Sequence, residues 1–354
     1  MRLLSLSLFL IICAMAPIKA HANNQLHVKP VRIIDQNSPA GAIEAYRTLA
    51  PVDWSIEGGI LWNPPSGCHR GGQLVWEAMS PDKSYSLSFL PPISWSASNR
   101  GAPGVGCLNM DLTDSEQMMR GYLQAAGLAG AQIIKVERPA ELTQIMQAWT
   151  APFLTGHVYG QQRWADATVV QTRARLDGRE YDTAIITISL HYQITTPDPL
   201  WPSNPIISRG GNSAYLLALS TPVGQLDAGH PAFSVILQNL RANPAWNKVV
   251  AQWWARQNRR PSGGGSSGGE SVTDLMFESW KRREGIKDQG HASSVNSIWE
   301  VQPYHLPDGG EVTLSQDYGN AWLLEDDTII LTDDNLFNPL QQEGQFGQQL
   351  VPVR

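Results

Sequence analysis

Cysteine is scarce in this chain: three residues in 354, at positions 13, 68 and 107. That scarcity excludes a small disulfide-dense scaffold, and without a C-x-x-C pair it excludes a zinc ribbon or a thioredoxin-type redox centre. Charge is scarce too, at 16% of residues with a formal net of −6. With a pI near 5.8, that balance argues against an extended nucleic-acid footprint. No apolar run reaches the roughly 20 residues of a membrane-spanning helix. The eight histidines show no H-x₃-H or H-E-x-x-H spacing, so no zinc site is expected. No G-x-S-x-G elbow occurs. Gly101 to Gly106 lacks the Lys-Ser/Thr of a phosphate loop. No internal repeat is found, and nothing calls for a cofactor.

What is present begins with a targeting pattern. Arg2 supplies a positive start, Leu3 to Met15 an apolar stretch and Ala20-His21-Ala22 a cleavage site, so residues 1–22 read as a signal peptide. Bulky Ile12 before Cys13 argues against lipid attachment. The mature chain is expected to be exported, periplasmic or secreted, with no transmembrane segment. Only Cys68 and Cys107 then remain, and an even count in an oxidising compartment reads as one disulfide. Closing a loop of about 40 residues contributes about 4 kcal/mol in the chain-entropy view. Thirteen tryptophans serve cores, sugar stacking and interfaces alike, so their number does not choose among these.

The strongest local signal runs from Trp164 to Ile194. Two strand-like runs flank Asp177-Gly178, the sequence of a type I′ turn, which needs positive φ at both central positions. A two-residue loop fixes the register: Arg175 faces Glu180, Arg173 faces Asp182, Val169 faces Ile186 and Ala167 faces Ile188. Elsewhere the pattern predicts strands at 26–34, 53–62 (bent at Gly58-Gly59), 73–79, 84–90, 131–137 and 213–220. Residues 95–106 read as loop. Helices are predicted at 114–126, with Thr113 and Glu116 as capping box, at 140–149, at 233–240, and from Pro244 onward with Asn243 as N-cap. Pro261 to Gly269 is a flexible boundary by composition. Beyond it, a helix from 271 to 284 and strands at 297–304, 311–314, 321–324 and 328–332 are expected.

The domain reading is therefore 23–260 as one α+β domain, 261–270 as linker, and 271–354 as a smaller helix-and-strands segment docked on the first domain. The fold class expected is α+β, an antiparallel sheet flanked by helices. The element order over about 40–243, with Phe233-Ser-Val-Ile-Leu-Gln-Asn-Leu-Arg-Ala-Asn243, resembles the PsbP-like fold family. That resemblance implies an accessory or binding protein rather than an enzyme. The segment with Tyr304, Pro307-Asp308-Gly309-Gly310, Trp322 and Phe337-Asn338-Pro339 resembles uncharacterised bacterial secreted proteins.

Three constellations merit chemical reading. The hairpin register puts Asp166 across from Ser189, with His191 two positions on, so acid, nucleophile and base types share one face. Thr172, Thr183 and Thr187 on that face read as an ordinary solvated sheet surface. Asp326, Asp327, Asp333, Asp334, Asn335 and Asn338 invite calcium, but the strand between them spans roughly 16 Å, too far for one ion with ligands at about 2.4 Å. Trp95 and Trp201 are candidate ligand-stacking residues. The expectation is an exported non-enzymatic binding or accessory protein, its partner another protein or a cell-envelope component. The alternatives are a secreted hydrolase using Ser189, His191 and Asp166, and a carbohydrate-binding module using exposed tryptophans.

Overall fold

The computed structural model describes residues 25–62, 71–101, 108–125, 130–140, 160–226, 230–258 and 301–353. The signal segment, Cys68 and Cys107, nearly all of the helix expected at 140–149, the Gly/Ser boundary and the helix expected at 271–284 lie outside the described residues.

The fold class differs from the expected α+β arrangement of a sheet between helices. Among the described residues strands take 54% and helices 14%, and several sheets form the framework. In chain order the first strands are β1 (Gln25–Asp35), β2 (Ile43–Pro51), β3 (Ser55–Trp62), β4 (Gly72–Met79), β5 (Ser86–Phe89), β6 (Ser94–Ser98) and β7 (Leu108–Asn109). Helix α1 (Ser115–Ala125) and strand β8 (Gln132–Glu137) follow, then three long strands: β9 (Gln161–Leu176), β10 (Arg179–Thr196) and β11 (Ile206–Pro222). Helix α2 (Pro231–Asn239), the short β12 (Arg241–Ala242) and helix α3 (Pro244–Asn258) come next. The last described stretch holds β13 (Val301–His305), β14 (Glu311–Ser315), β15 (Asn320–Leu324), β16 (Ile329–Thr332), α4 (Pro339–Gln342), β17 (Gly347–Gln349) and β18 (Val351–Pro352).

Two physical reasons account for the difference. β2, read as no element from the sequence, is a full strand with four buried residues at its end, Thr48 to Pro51. β11 runs for 17 residues, because Gly210 and Gly211 carry the strand past the point where the apolar pattern stops. β6 likewise lies where loop was expected. Pro91 and Pro92 interrupt the path of β5 and β6, yet both strands pair with β11.

The larger sheet has nine strands, with the order β3-β4-β5-β11-β10-β9-β8, β6 alongside β11 and β7 on the outer side of β6. All its pairings are antiparallel except β6 with β7. A six-stranded sheet runs β12-β2-β1-β16-β15-β17, and β14-β13-β18 form a third. β1 thus pairs with both β2 and β16, Gln25 lying opposite Thr332. Asn239 at the end of α2 mimics a strand towards β14: its side chain donates to Thr313 O at 2.5 Å and accepts from Thr313 N at 3.1 Å.

One face of the large sheet packs Trp76, Leu87, Phe89 and Leu217 against Ile33 and Ala50 of the six-stranded sheet and Phe233 and Ile236 of α2. The other face packs Val170, Ile185, Leu216 and Ala218 beneath Met118, Met119 and Leu123 of α1. α1 is capped by Asp114, whose Oδ1 accepts from Glu116 N at 2.8 Å and Gln117 N at 3.0 Å. Thr113, the expected cap, donates instead to Asp111. Asp114 stands one residue closer to the first turn, and its carboxylate takes the orphan amides.

The bend expected at Gly58-Gly59 is a kink within one continuous β3. Gly58 has φ +90° and faces Trp76, and a Cβ there would stand 2.3 Å from Val75 O. Gly58→Ala is expected to cost about 3 kcal/mol, from the disfavoured backbone and the backbone clash together. A urea unfolding midpoint unchanged from wild type would contradict this.

Candidate functional site

The hairpin of β9 and β10 has the register that its Asp177-Gly178 turn dictates: Arg175 lies opposite Glu180, Arg173 opposite Asp182, Val169 opposite Ile186 and Ala167 opposite Ile188. Asp177 and Gly178 both have positive φ, as a type I′ turn requires. Arg173 grips Asp182 through Nε at 2.7 Å and Nη2 at 3.0 Å. That pairing, foremost, holds the Asp182 carboxyl below its ordinary pKa. Arg175 turns to Gly178 O at 3.2 Å.

On the face towards α1 the three long strands place side chains in cross-strand rows. Thr172, Thr183 and Ser220 form one row, and Thr168, Thr187 and Leu216 another. A bulge between Ile188 and Ser189 then re-phases β11. Beyond it Asp166, Ser189 and Ser213 share a row, and Trp164, His191, Gly211 and Trp95 the next. The face was expected to be solvated. Instead Thr168, Thr172, Thr187, Ser189, His191 and Ser213 are all buried. The reason is tertiary: α1 and Leu112 roof the sheet there, which the strand's own alternation cannot disclose.

His191 is 1% exposed and sits between two indoles. The Trp164 ring stacks at 5.4 Å with 25° between planes, and the Trp95 ring tilts against it at 5.8 Å. Gly211 permits this. A Cβ there would stand 2.7 Å from His191 Nδ1 and 2.8 Å from Trp95 Nε1. Burial pushes the His191 pKa down to about 4, against the opposing pull of the Asp166 and Asp111 carboxylates, so the ring is neutral at pH 7. Neither ring nitrogen has a hydrogen-bond partner among the described residues.

The sequence therefore brings Asp166, Ser189 and His191 to one face at neighbouring positions, and the structure does not wire them as a triad. The Ser189 hydroxyl donates to Met118 Sδ at 3.9 Å, and no Ser–His hydrogen bond is formed. Asp166 lies 3.8 Å from Arg138 Nε. A nucleophile needs a base within hydrogen-bond reach, and among the described residues the Ser189 hydroxyl meets Met118 Sδ instead of one.

The two candidate stacking tryptophans part company. Trp95, on β6, is 1% exposed, whereas Trp201 is 64% exposed beside Leu200 at 81%. Their loop is firmly held. Asp198 accepts from Leu200 N at 2.8 Å, Trp201 N at 3.2 Å and Arg100 Nη2 at 2.5 Å. Asn99 clamps the far side, donating to Pro205 O and accepting from Ile207 N. The Leu200 amide is the foremost cause of a lowered Asp198 pKa.

The acidic turn residues once weighed for calcium serve the backbone. Asp326 accepts from Thr328 N, Asp333 from Gly319 N, Asp334 from Leu336 N, and Asn338 caps α4. No group of three or more His, Cys, Asp or Glu suited to a metal occurs among the described residues. The disulfide candidates Cys68 and Cys107 lie outside them.

One buried carboxylate escaped sequence reasoning. Asp35, fully buried, accepts from Trp246 Nε1 at 2.7 Å, Trp62 Nε1 at 2.9 Å and Asn37 N at 3.0 Å. An aspartate ending an apolar strand carries no local sign of two indoles arriving from β3 and α3.

No protein-family model matches the chain, and neither does any curated protein or solved structure.

Proposed function

We propose that this is an exported, non-catalytic binding or accessory protein that meets its partner through the loop carrying Leu200 and Trp201. The observation that carries the reading is the display of those two side chains on a loop tied down at both ends by Asp198–Arg100 and Asn99. A tryptophan and a leucine held out in water cost solvation that a partner would recover, and the tether keeps the ordering entropy of association low. The unwired state of Ser189 and His191 supports a non-catalytic role over the hydrolase alternative. Leu200 beside Trp201 favours an apolar protein or envelope surface over a sugar, which would ask for hydrogen-bonding neighbours around the ring. Among the described residues no helix is long and apolar enough to cross a membrane.

The test places a photo-activatable cross-linking residue at position 200, with a second at Glu180 on the hairpin tip as control. A discrete adduct from position 200, lost in Trp201→Ala while the fold is retained, is expected. Equal adduct patterns at both positions would sink the reading. The export component is tested separately, by intact mass of the protein recovered outside the cytoplasm, where a chain beginning at Asn23 is expected. Hydrolysis of an activated ester that disappears in Ser189→Ala would restore the enzymatic alternative.

A further inference from the structure

We infer that the open face of β12, β2 and β1 carries an oxyanion site built from Arg241, Arg47 and Arg32, taking a dianionic phosphate group. The site is separate from the loop at Trp201 and does not depend on it. Register places the three arginines in one cross-strand row: Arg241 lies opposite Arg47, and Arg47 opposite Arg32. Directly opposed residues of neighbouring strands share a face, and the strands stand about 4.8 Å apart. The row therefore gathers three guanidinium groups from Cα positions spread over roughly 10 Å.

Like charges directly opposite one another destabilise a sheet, so folding alone gives no reason for this row. A bulge supplies the carboxylate that meets it. Ile33 faces Tyr46 and Ile34 faces Glu44, which leaves Ala45 as the extra residue and brings Glu44 round to the arginine face. Glu44 Oε2 lies 3.5 Å from Arg32 Nε, and its Oε1 lies 3.9 Å from Arg47 Nε. These are ion pairs rather than hydrogen bonds, and they leave the guanidinium forks available. The Arg32 and Arg47 side chains are 76% and 70% exposed, so the forks open to water. Arg241 donates through Nη1 to Leu240 O at 3.1 Å, and partial burial of its head lowers its pKa.

The class of ligand follows from charge and shape. Three cations against the Glu44 carboxylate leave a local surplus of two positive charges in a chain whose net charge is −6. A phosphate monoester carries about −1.5 to −2 at pH 7, which matches that surplus. Planar guanidinium forks fit its oxygens in pairs, so arginine suits it better than lysine would. The net charge also decides against an extended anionic surface. Beyond a screening length of about 8 Å such a surface meets an acidic molecule, whereas one phosphate group meets the row alone. A phosphodiester, with a single charge, matches the surplus less well.

The test titrates the full chain with phenyl phosphate at low salt and follows the arginine Nε–Hε resonances by NMR. Saturable shifts of Arg32, Arg47 and Arg241 are expected. Arg47→Gln should weaken binding about tenfold, the loss of one charge-assisted contact. Arg175→Gln, which removes the same charge from the tip of the β9–β10 hairpin, should stay within about twofold of wild type. Glu44→Gln gives the opposite sign: with the competing carboxylate gone, binding should tighten by about threefold or more. Arg47→Gln also relieves opposed like charges, so its urea midpoint should not fall. Equal weakening in Arg47→Gln and Arg175→Gln would reveal unspecific attraction and overturn the proposal, as would weaker binding in Glu44→Gln. Inorganic phosphate binding as tightly as phenyl phosphate assigns the free ion, and tighter binding of phenyl phosphate assigns an ester. Dimethyl phosphate, or vesicles of phosphatidylglycerol, binding as well as phenyl phosphate would overturn the choice of a dianion.

Discussion

Lowering the pH from 7 to 4 is expected to remove about 6 kcal/mol of folding stability through two histidines alone, about 3 kcal/mol each. His191 and His230 both have their pKa pushed down to about 4 by burial, against carboxylates that pull the other way: Asp166 and Asp111 for His191, Asp53 and Asp82 for His230. In the unfolded chain each titrates near 6.5. Between pH 6.5 and 4 the unfolded state therefore binds two protons that the native state refuses. The stabilisation is complete above 6.5 and drains away at up to ~2.7 kcal/mol per pH unit as the pH falls. Carboxylates held low, such as Asp182 by Arg173 and Asp82 by Ser84, give up their share only below about 3.8, beneath this window. His230 adds a structural reason. It is the N-cap of α2, its Nδ1 accepting from Ala232 N at 3.1 Å, and it packs against Trp54, Tyr85 and Phe233. Protonation destroys that acceptor and sets a positive ring at the positive end of the helix dipole. His230→Asn, which keeps a capping side chain but cannot titrate here, should halve the loss in a urea series at pH 7, 6, 5 and 4. A His230→Asn profile parallel to wild type would refute the assignment.

The second large effect is expected at Asp35. Its replacement by leucine should cost about 4 kcal/mol, because it strands the indole N–H groups of Trp62 and Trp246 and the Asn37 amide at once. Charge-assisted bonds of this kind are the stronger class. Asp35→Asn retains one acceptor and should cost roughly half as much. Trp246 begins α3 and Trp62 ends β3, so the leucine variant should also loosen the helix. The check is chemical denaturation together with the two indole N–H resonances by NMR. Fast amide exchange confined to residues 244–258 would identify α3 as the element released, whereas a loss below about 1 kcal/mol would show that the carboxylate is dispensable.

The sequence disclosed this protein unevenly, and the reasons are physical. The register of β9 and β10 was legible because one dipeptide, Asp177-Gly178, fixes it locally. The Asn243-Pro244 start of α3 was legible for the same reason, with Asn243 Oδ1 accepting from Ala245 N. The balance of sheet over helix was not, because β2 and β6 earn their strand state from neighbours: β2 from β1, and β6 from β11. The meaning of the Thr, Ser and His face was misread for a related reason. Polar alternation on a strand signals water only when nothing packs above it, and α1 arrives from far upstream, Met118 standing 71 residues before the Ser189 it covers. Asp166, Ser189 and His191 were correctly gathered on one face, but whether a hydroxyl meets an imidazole depends on side-chain rotation and on Met118, neither of which spacing encodes.

The pairing of Gln25 with Thr332 also governs when the molecule can form. β1 and β2 can meet early, since few residues separate them. The opposite edge of β1, with apolar Leu26 and Val28, stays open until Ile329 to Thr332, far along the sequence, come to pair with it. Until then it is an open template for a strand from any other chain. Closing contacts between such distant positions is slow, since loop closure must come first. The protein's most vulnerable moment is therefore the interval in which β1 has found β2 but not yet β16.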